Sequence, residues 1–416
     1  MEKTVKRNQF VDIMRGIAML LVVLGHTMTG CTVDSQKSFL FNVVWSLQMP
    51  LFILISGYVT KYSQSICDGK GLWKYVKRRT IAYMIPWAVW SFLVRGVIFG
   101  QDGFLNIKSL LCNMDSGYWF LATIWTISMI FGVASYVAEC IGKSNAVKKQ
   151  IALLGFYLLG MILLVGIGMV MGLSFFAIKL TLYYMPFYYA GCLYGQIDDK
   201  LLSTDKGKKI VDCCVALCFA IWLFIILRFS LYEMSDSGLA IILRAAISLA
   251  GCIAVCGLCN GSFSDRIRGG YGVDRRAFSG SLPLALSAAK PDQTGKQSDV
   301  LQSNGAGTGF DKLPVDGAAC SSDYHGDRQE QNIKTCVDRK EKLSTFFLWA
   351  GKRSLEIYMI HGLLLNIFRS SEPVPFTSIQ GYLLTAGNFA LTVGFCALVI
   401  ELLNQNKSLK KVLNIR

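Results

Sequence analysis

Histidine is the side chain best suited to exchange protons near neutral pH, and this chain of 416 residues has three: His26, His325 and His361. His26 closes the stretch FVDIMRGIAMLLVVLGH (residues 10–26), an apolar run that also holds Asp12 and Arg15. A lipid-facing helix would not keep three ionisable groups, so this run is expected to face a polar cavity. Eleven residues separate Arg15 from His26, which at about 100° per residue is close to three full turns. Both side chains therefore project from one face, roughly 16 Å apart along the axis. Asp12 lies one turn below Arg15, where it can offset the arginine's charge.

His361 belongs to a second polar patch, SLEIYMIHGLL, with Glu356 and Tyr358. A lone membrane histidine can simply bond a neighbouring helix. Two histidines in apolar runs, each with ionisable company, instead point to one shared cavity. A third set is WKYVKRRTIAYMIPW, with Lys74, Lys77, Arg78 and Arg79. These residues serve equally as topology anchors or, with Arg78 and Arg79 turned inward, as a fork for phosphate groups. The stretches MPLFILISGY (49–58), GYWFLATIW (117–125) and YYMPFYYAG (183–191) carry Pro50, Trp119 and Pro186. The prolines are able to kink helices and free carbonyls, and Trp119 is a candidate for the cavity wall, although interface or core packing explains such aromatics as well.

The elements that must hold these groups are long apolar helices. The chain is 53% hydrophobic and 17% charged, a balance that excludes an ordinary soluble globule and indicates an all-α polytopic membrane protein. Runs long enough to span fall at about 10–30, 38–60, 80–100, 117–138, 150–173, 175–195, 211–231, 238–258, 344–368 and 380–403, so about ten transmembrane helices are expected around a polar central cavity. Net charge is +15. Its Lys and Arg gather in alternate connections, from Lys3, Lys6 and Arg7 to Lys410, Lys411 and Arg416, which places both termini in the cytoplasm and makes membrane lipids, not nucleic acid, the natural partner of that charge. The basic start followed by an apolar run is expected to be a retained first span, since no small-residue cleavage site follows.

Residues 261–342 break the pattern. They are rich in Gly, Ser, Asp, Lys, Arg and Gln, lack periodicity and contain His325, so they divide a membrane domain (1–260 and 343–416) by a cytoplasmic loop expected to be disordered. Most of the 14 cysteines, among them Cys213, Cys214, Cys218, Cys252 and Cys256, sit in apolar runs as small hydrophobes. The lone pair Cys256 and Cys259 is a weak metal signal, and no metal is expected.

Taken in order, Asp12-x-x-Arg15-Gly16, Arg15 with ten residues to His26, MPLFILISGY, the basic KRR before Pro86 and Trp87, YWFLATIW and SLEIYMIH resemble the blocks of the acyltransferase family 3 membrane proteins, from about Phe10 to Leu403. The resemblance implies an integral membrane O-acyltransferase located in the cell membrane. It would move an acyl group, acetyl above all, from cytoplasmic acetyl-CoA or another acyl-CoA to a hydroxyl of a cell-surface or lipid-linked glycan. Donor phosphates would lie near Arg78 and Arg79, with the thioester arm passing Arg15, and Arg15 and Asp12 would belong with His26 to the catalytic group. His26 would be general base or transient acyl carrier, with Trp119, Glu356, Tyr358 and His361 as binding or supporting groups. Two other classes remain: a transporter or flippase for a glycan or anionic solute, for which intramembrane Arg, His and Glu are equally natural, and a scaffold, which leaves the in-register Asp12, Arg15 and His26 unexplained.

Overall fold

The computed structural model describes residues 8–100, 105–114, 118–142, 145–259, 344–367 and 374–406. The stretch 261–342, with His325 and its expected disorder, lies outside them. The elements are α1 Gln9–Cys31, α2 Phe39–Tyr58, α3 Gly69–Ala88, α4 Ile107–Cys112, α5 Trp119–Ile141, α6 Ala146–Met171, α7 Ile178–Leu202, α8 Asp205–Arg228, α9 Gly238–Cys259, α10 at 344–352, α11 Ser354–Ile367 and α12 Ile379–Gln405. Among the described residues the β-structure is one isolated bridge, Val33 with Pro375.

Polar residues at the boundaries explain where many helices begin. The side chains of Asn8, Ser38, Asp68, Asn145, Thr204 and Ser378 each accept a hydrogen bond from a first-turn backbone N–H, satisfying donors that the helix itself leaves orphaned. Asp68 starts α3 eleven residues before the run at 80–100, so Lys74, Lys77, Arg78 and Arg79 are helical instead of flanking. Helices α2 and α7 continue through Pro50 and Pro186. The third span also contains Pro86, and from Val89 to Ile98 it becomes a π-helix.

Among the described residues, eight helices are long and apolar enough to cross a membrane: α1, α2, α3 with its π-helical continuation, α5, α6, α8, α9 and α12. The sequence pattern suggests ten. Of the other two segments, α7 carries Lys179 near its start and Asp198, Asp199 and Lys200 near its end, while the run at 344–368 is broken at Arg353 and leaves α11 with 14 residues. Ile162, Leu163, Met169 and Val170 on α6, with Leu217, Phe224 and Leu227 on α8, are exposed, a surface that lipid tails accept and water does not. Cys213 and Cys214 are exposed on the same helix, whereas Cys252 and Cys256 are buried, so the expectation of buried cysteines holds for α9 and not for α8.

Polar contacts pin the bundle. Asn42 on α2 donates to the carbonyls of Ile226 (3.2 Å) and Phe229 (2.8 Å) and accepts from Leu231 N (2.9 Å). Tyr118 donates its hydroxyl to Met359 O at 3.0 Å, tying the start of α5 to the middle of α11. Closest of all is the crossing of α1 with α10. A Cβ on Gly16 would collide with Phe347 O, and one on Gly351 with Asp12 O. Glycine at both positions lets the two backbones touch, and this sets Asp12 and Arg15 beside Lys352 and Arg353.

Candidate active site

Along α1 the side chains of Val11, Asp12, Arg15 and Val22 form one wall of a cavity of about 880 Å³. Asn8 belongs to the same wall, so it extends about 21 Å at 1.5 Å rise per residue. Met49, Phe52, Ser56 and Val59 of the second span, Arg78, Arg79, Ala82 and Tyr83 of α3, and Phe120, Leu121 and Ile124 of α5 form other walls. The last comes from Gly351, Lys352, Arg353, Ser354, Leu355, Glu356 and Tyr358. Five basic side chains (Arg15, Arg78, Arg79, Lys352, Arg353) face two acidic ones (Asp12, Glu356), so the cavity favours an anion.

Each charged group is held differently. Arg79 is packed among aromatics: Nη1 donates to Tyr83 Oη at 3.1 Å, and Cζ stands 5.3 Å from the Tyr75 ring centroid and 6.0 Å from that of Tyr83. Its Nε is buried without a hydrogen-bond partner among the described residues. Arg78 is exposed at the same level of the helix. Arg353 Nη1 is 3.5 Å from Glu356 Oε1, and that carboxylate is buried. Asp12 is buried and Arg15 half-buried.

Both histidines lie just past the inner end of this cavity. Val22 is the last α1 residue on its wall and His26 follows one turn later; Tyr358 is the last α11 residue on its wall and His361 follows three residues later. Their rings meet, with centroids 5.4 Å apart and planes inclined by 45°. His361 is buried and its Nδ1 is 3.0 Å from Ile357 O, a contact that favours the tautomer protonated on Nδ1 and leaves Nε2 as the basic nitrogen. His26 is exposed, so the pair is reachable from its side. Tyr358 joins the two regions: it lines the cavity, and its ring is 5.7 Å from that of His361 and 5.4 Å from that of Phe120.

Two expected site residues are placed differently from their sequence-based positions. Trp119 stacks on Tyr184 at 5.7 Å with the rings inclined by 10°, and it is Phe120 that lines the cavity. Glu356 is not in the middle of one long helix over 344–368. The break at Arg353 puts it in the first turn of α11, on the cavity wall. Three cations escaped the sequence reading. Lys352 and Arg353 show themselves only as a basic pair after Gly351 at the edge of an apolar run. Arg95, in the π-helical stretch, holds its Cζ 5.6 Å from the ring centroid of Tyr118 and was legible as a charge inside the run at 80–100.

The model of an acyltransferase domain family, acyltransferase 3, matches residues 8–269. The chain belongs to the acyltransferase 3 family. The matched residues hold Asp12, Arg15, His26, Arg78, Arg79 and Trp119. Lys352, Arg353, Glu356, Tyr358 and His361 come after them, so the match is shorter than the resemblance that extends to Leu403. Nodulation protein NolL of Sinorhizobium fredii is 25% identical over 228 residues, 51% of this chain and 56% of that protein. The match therefore spans little more than half the length of this curated relative. No solved structure matches the chain. The chain is thus an acyltransferase 3 family member with eight helices, among its described residues, long and apolar enough to cross a bilayer, as a membrane protein has.

Proposed function

We propose that this acyltransferase 3 protein moves an acyl group, acetyl above all, from a cytoplasmic acyl-CoA to a hydroxyl of a cell-surface or lipid-linked sugar at the cell membrane. The observation that carries the proposal is the His26 and His361 pair lying one layer beyond the inner end of a cation-lined cavity. An acyl-CoA is polyanionic at its nucleotide end and thin along its thioester arm. Arg78, Arg79 and Lys352 suit the phosphates, and Phe52, Phe120 and Tyr358 suit the arm. Arg15 and Asp12 would flank the passage, with Arg353 and Glu356 shaping its opposite side.

At the end of that passage His26 takes the proton from the acceptor hydroxyl as its oxygen attacks the thioester carbonyl. The C–S bond then breaks and the thiolate leaves, to be protonated in turn. A transient acyl-imidazole on His26 is the two-step version of the same exchange. His361, with Nδ1 against Ile357 O, is placed to hold the His26 ring. With both termini cytoplasmic, the donor enters from the inside and the acceptor from the His26 side. No metal enters the scheme.

The test is transfer of label from acetyl-CoA to glycan in membranes that contain the protein. His26→Ala, expressed and inserted normally, should lower the rate by about 10²- to 10⁴-fold. A wild-type rate in that variant would refute the assignment. Movement of solute without thioester consumption would favour a transporter.

A further inference from the structure

Two helices each place a histidine immediately beyond the cavity wall, and a third helix places an amide there. On α2 the wall residues nearest that end are Phe52 and Met49, and the next residue outward is Gln48. Its side chain is half-buried and makes no hydrogen bond to protein among the described residues. It lies against α1 at Gly25: a Cβ at that position would come within 2.8 Å of Gln48 Oε1 and 2.9 Å of Val44 Cγ1. The missing side chain at Gly25 thus makes room for a carboxamide one residue from His26. An intramembrane amide commonly bonds a neighbouring helix, and among the described residues Gln48 has no such bond.

We infer that Gln48 is a further catalytic residue, whose side-chain N–H groups donate to the carbonyl oxygen of the acyl group in transfer. The inference rests on the acyl-transfer function proposed above. When the acceptor oxygen adds to the thioester carbon, the carbonyl π pair moves onto oxygen and the hydroxyl proton passes to His26. Collapse restores the C=O bond, breaks C–S and releases the thiolate. Negative charge on oxygen exists only between these events. An N–H donor at this level therefore stabilises the transition state more than the bound thioester, and its effect appears in kcat. His26 and Gln48, on adjacent helices, would approach the carbon and the oxygen of one carbonyl.

The experiment is Gln48→Met, which keeps the length of the side chain and removes its donors. Membranes are assayed for label transfer from acetyl-CoA, and the purified variant for equilibrium binding of CoA. The expected result is a kcat lower by about 100-fold, the scale of losing one oxyanion donor, with KM for acetyl-CoA and CoA binding unchanged. A kcat within about twofold of wild type, or an equal loss carried wholly by KM, would overturn the assignment and leave the acyl-transfer function standing. If wild-type membranes transfer no label, that function fails and this inference with it. Should the methionine variant not accumulate, Gln48→Glu serves instead. It preserves shape, places an anion where a donor stood, and is expected to lose at least as much kcat, with wild-type turnover again overturning the proposal.

Discussion

Arg78 and Arg79 are neighbours in sequence with different surroundings. Arg79 is clasped by Tyr75 and Tyr83, while Arg78 stands exposed. A pre-positioned guanidinium gives up little conformational freedom when it binds phosphate, so it contributes more per hydrogen bond than a mobile one. Arg79→Ala is expected to raise KM for acyl-CoA about 10- to 100-fold, the equivalent of one charge-assisted hydrogen bond, with kcat little changed. Arg79→Lys should recover only part of this loss, because an ammonium lacks the planar fork that lies between the two tyrosine rings. Initial rates across a range of donor concentrations decide the matter, and an unaltered KM in Arg79→Ala would remove Arg79 from the donor site.

At the scale of elements, the break between α10 and α11 does the most to build the site. It turns a run that reads as one span into two helices, presents Lys352 and Arg353 at the cavity, and brings Glu356 into a first turn. The break is held in place by the contact of Gly16 with Gly351, where the backbones of α1 and α10 touch. Gly351→Val must force these helices apart, a cost of about 1–3 kcal/mol as in other overpacked interiors. It is expected to lower the thermal midpoint in detergent and, by moving the Arg353 side of the cavity, to reduce activity in the protein that remains folded. Gly166→Ala on α6, where an added Cβ meets nothing within 4 Å, is the control and should leave both unchanged. Equal effects from the two substitutions would show that the crossing has no special role.

At the scale of the whole molecule, orientation decides which substrate enters from which side. In the proposed orientation, with both termini cytoplasmic, Cys67, which precedes α3 and is exposed, would lie on the cytoplasmic side. Lys37, exposed between α1 and α2 beside Asp34, would then fall on the opposite side. In a background otherwise without cysteines, a membrane-impermeant thiol reagent should label Lys37→Cys in intact cells and Cys67 only after permeabilisation. The reverse pattern would place the cationic cavity outside the cell and exclude a cytoplasmic donor.

The sequence by itself determined the helical class, the places of most spans and the two histidine-bearing runs, because the 1.5 Å rise of a helix and the thickness of a bilayer impose length and periodicity on any chain that crosses one. It also placed Arg15 and His26 on one face, since that depends on spacing within a single helix. Only the tertiary structure decided which faces meet. The approach of His26 to His361 joins residues 335 positions apart. Stacking on Tyr184 takes Trp119 from the cavity wall, and the bare surface of Gly25 admits Gln48. Such contacts depend on how side chains from different helices share volume, and periodicity within one helix carries no information about that.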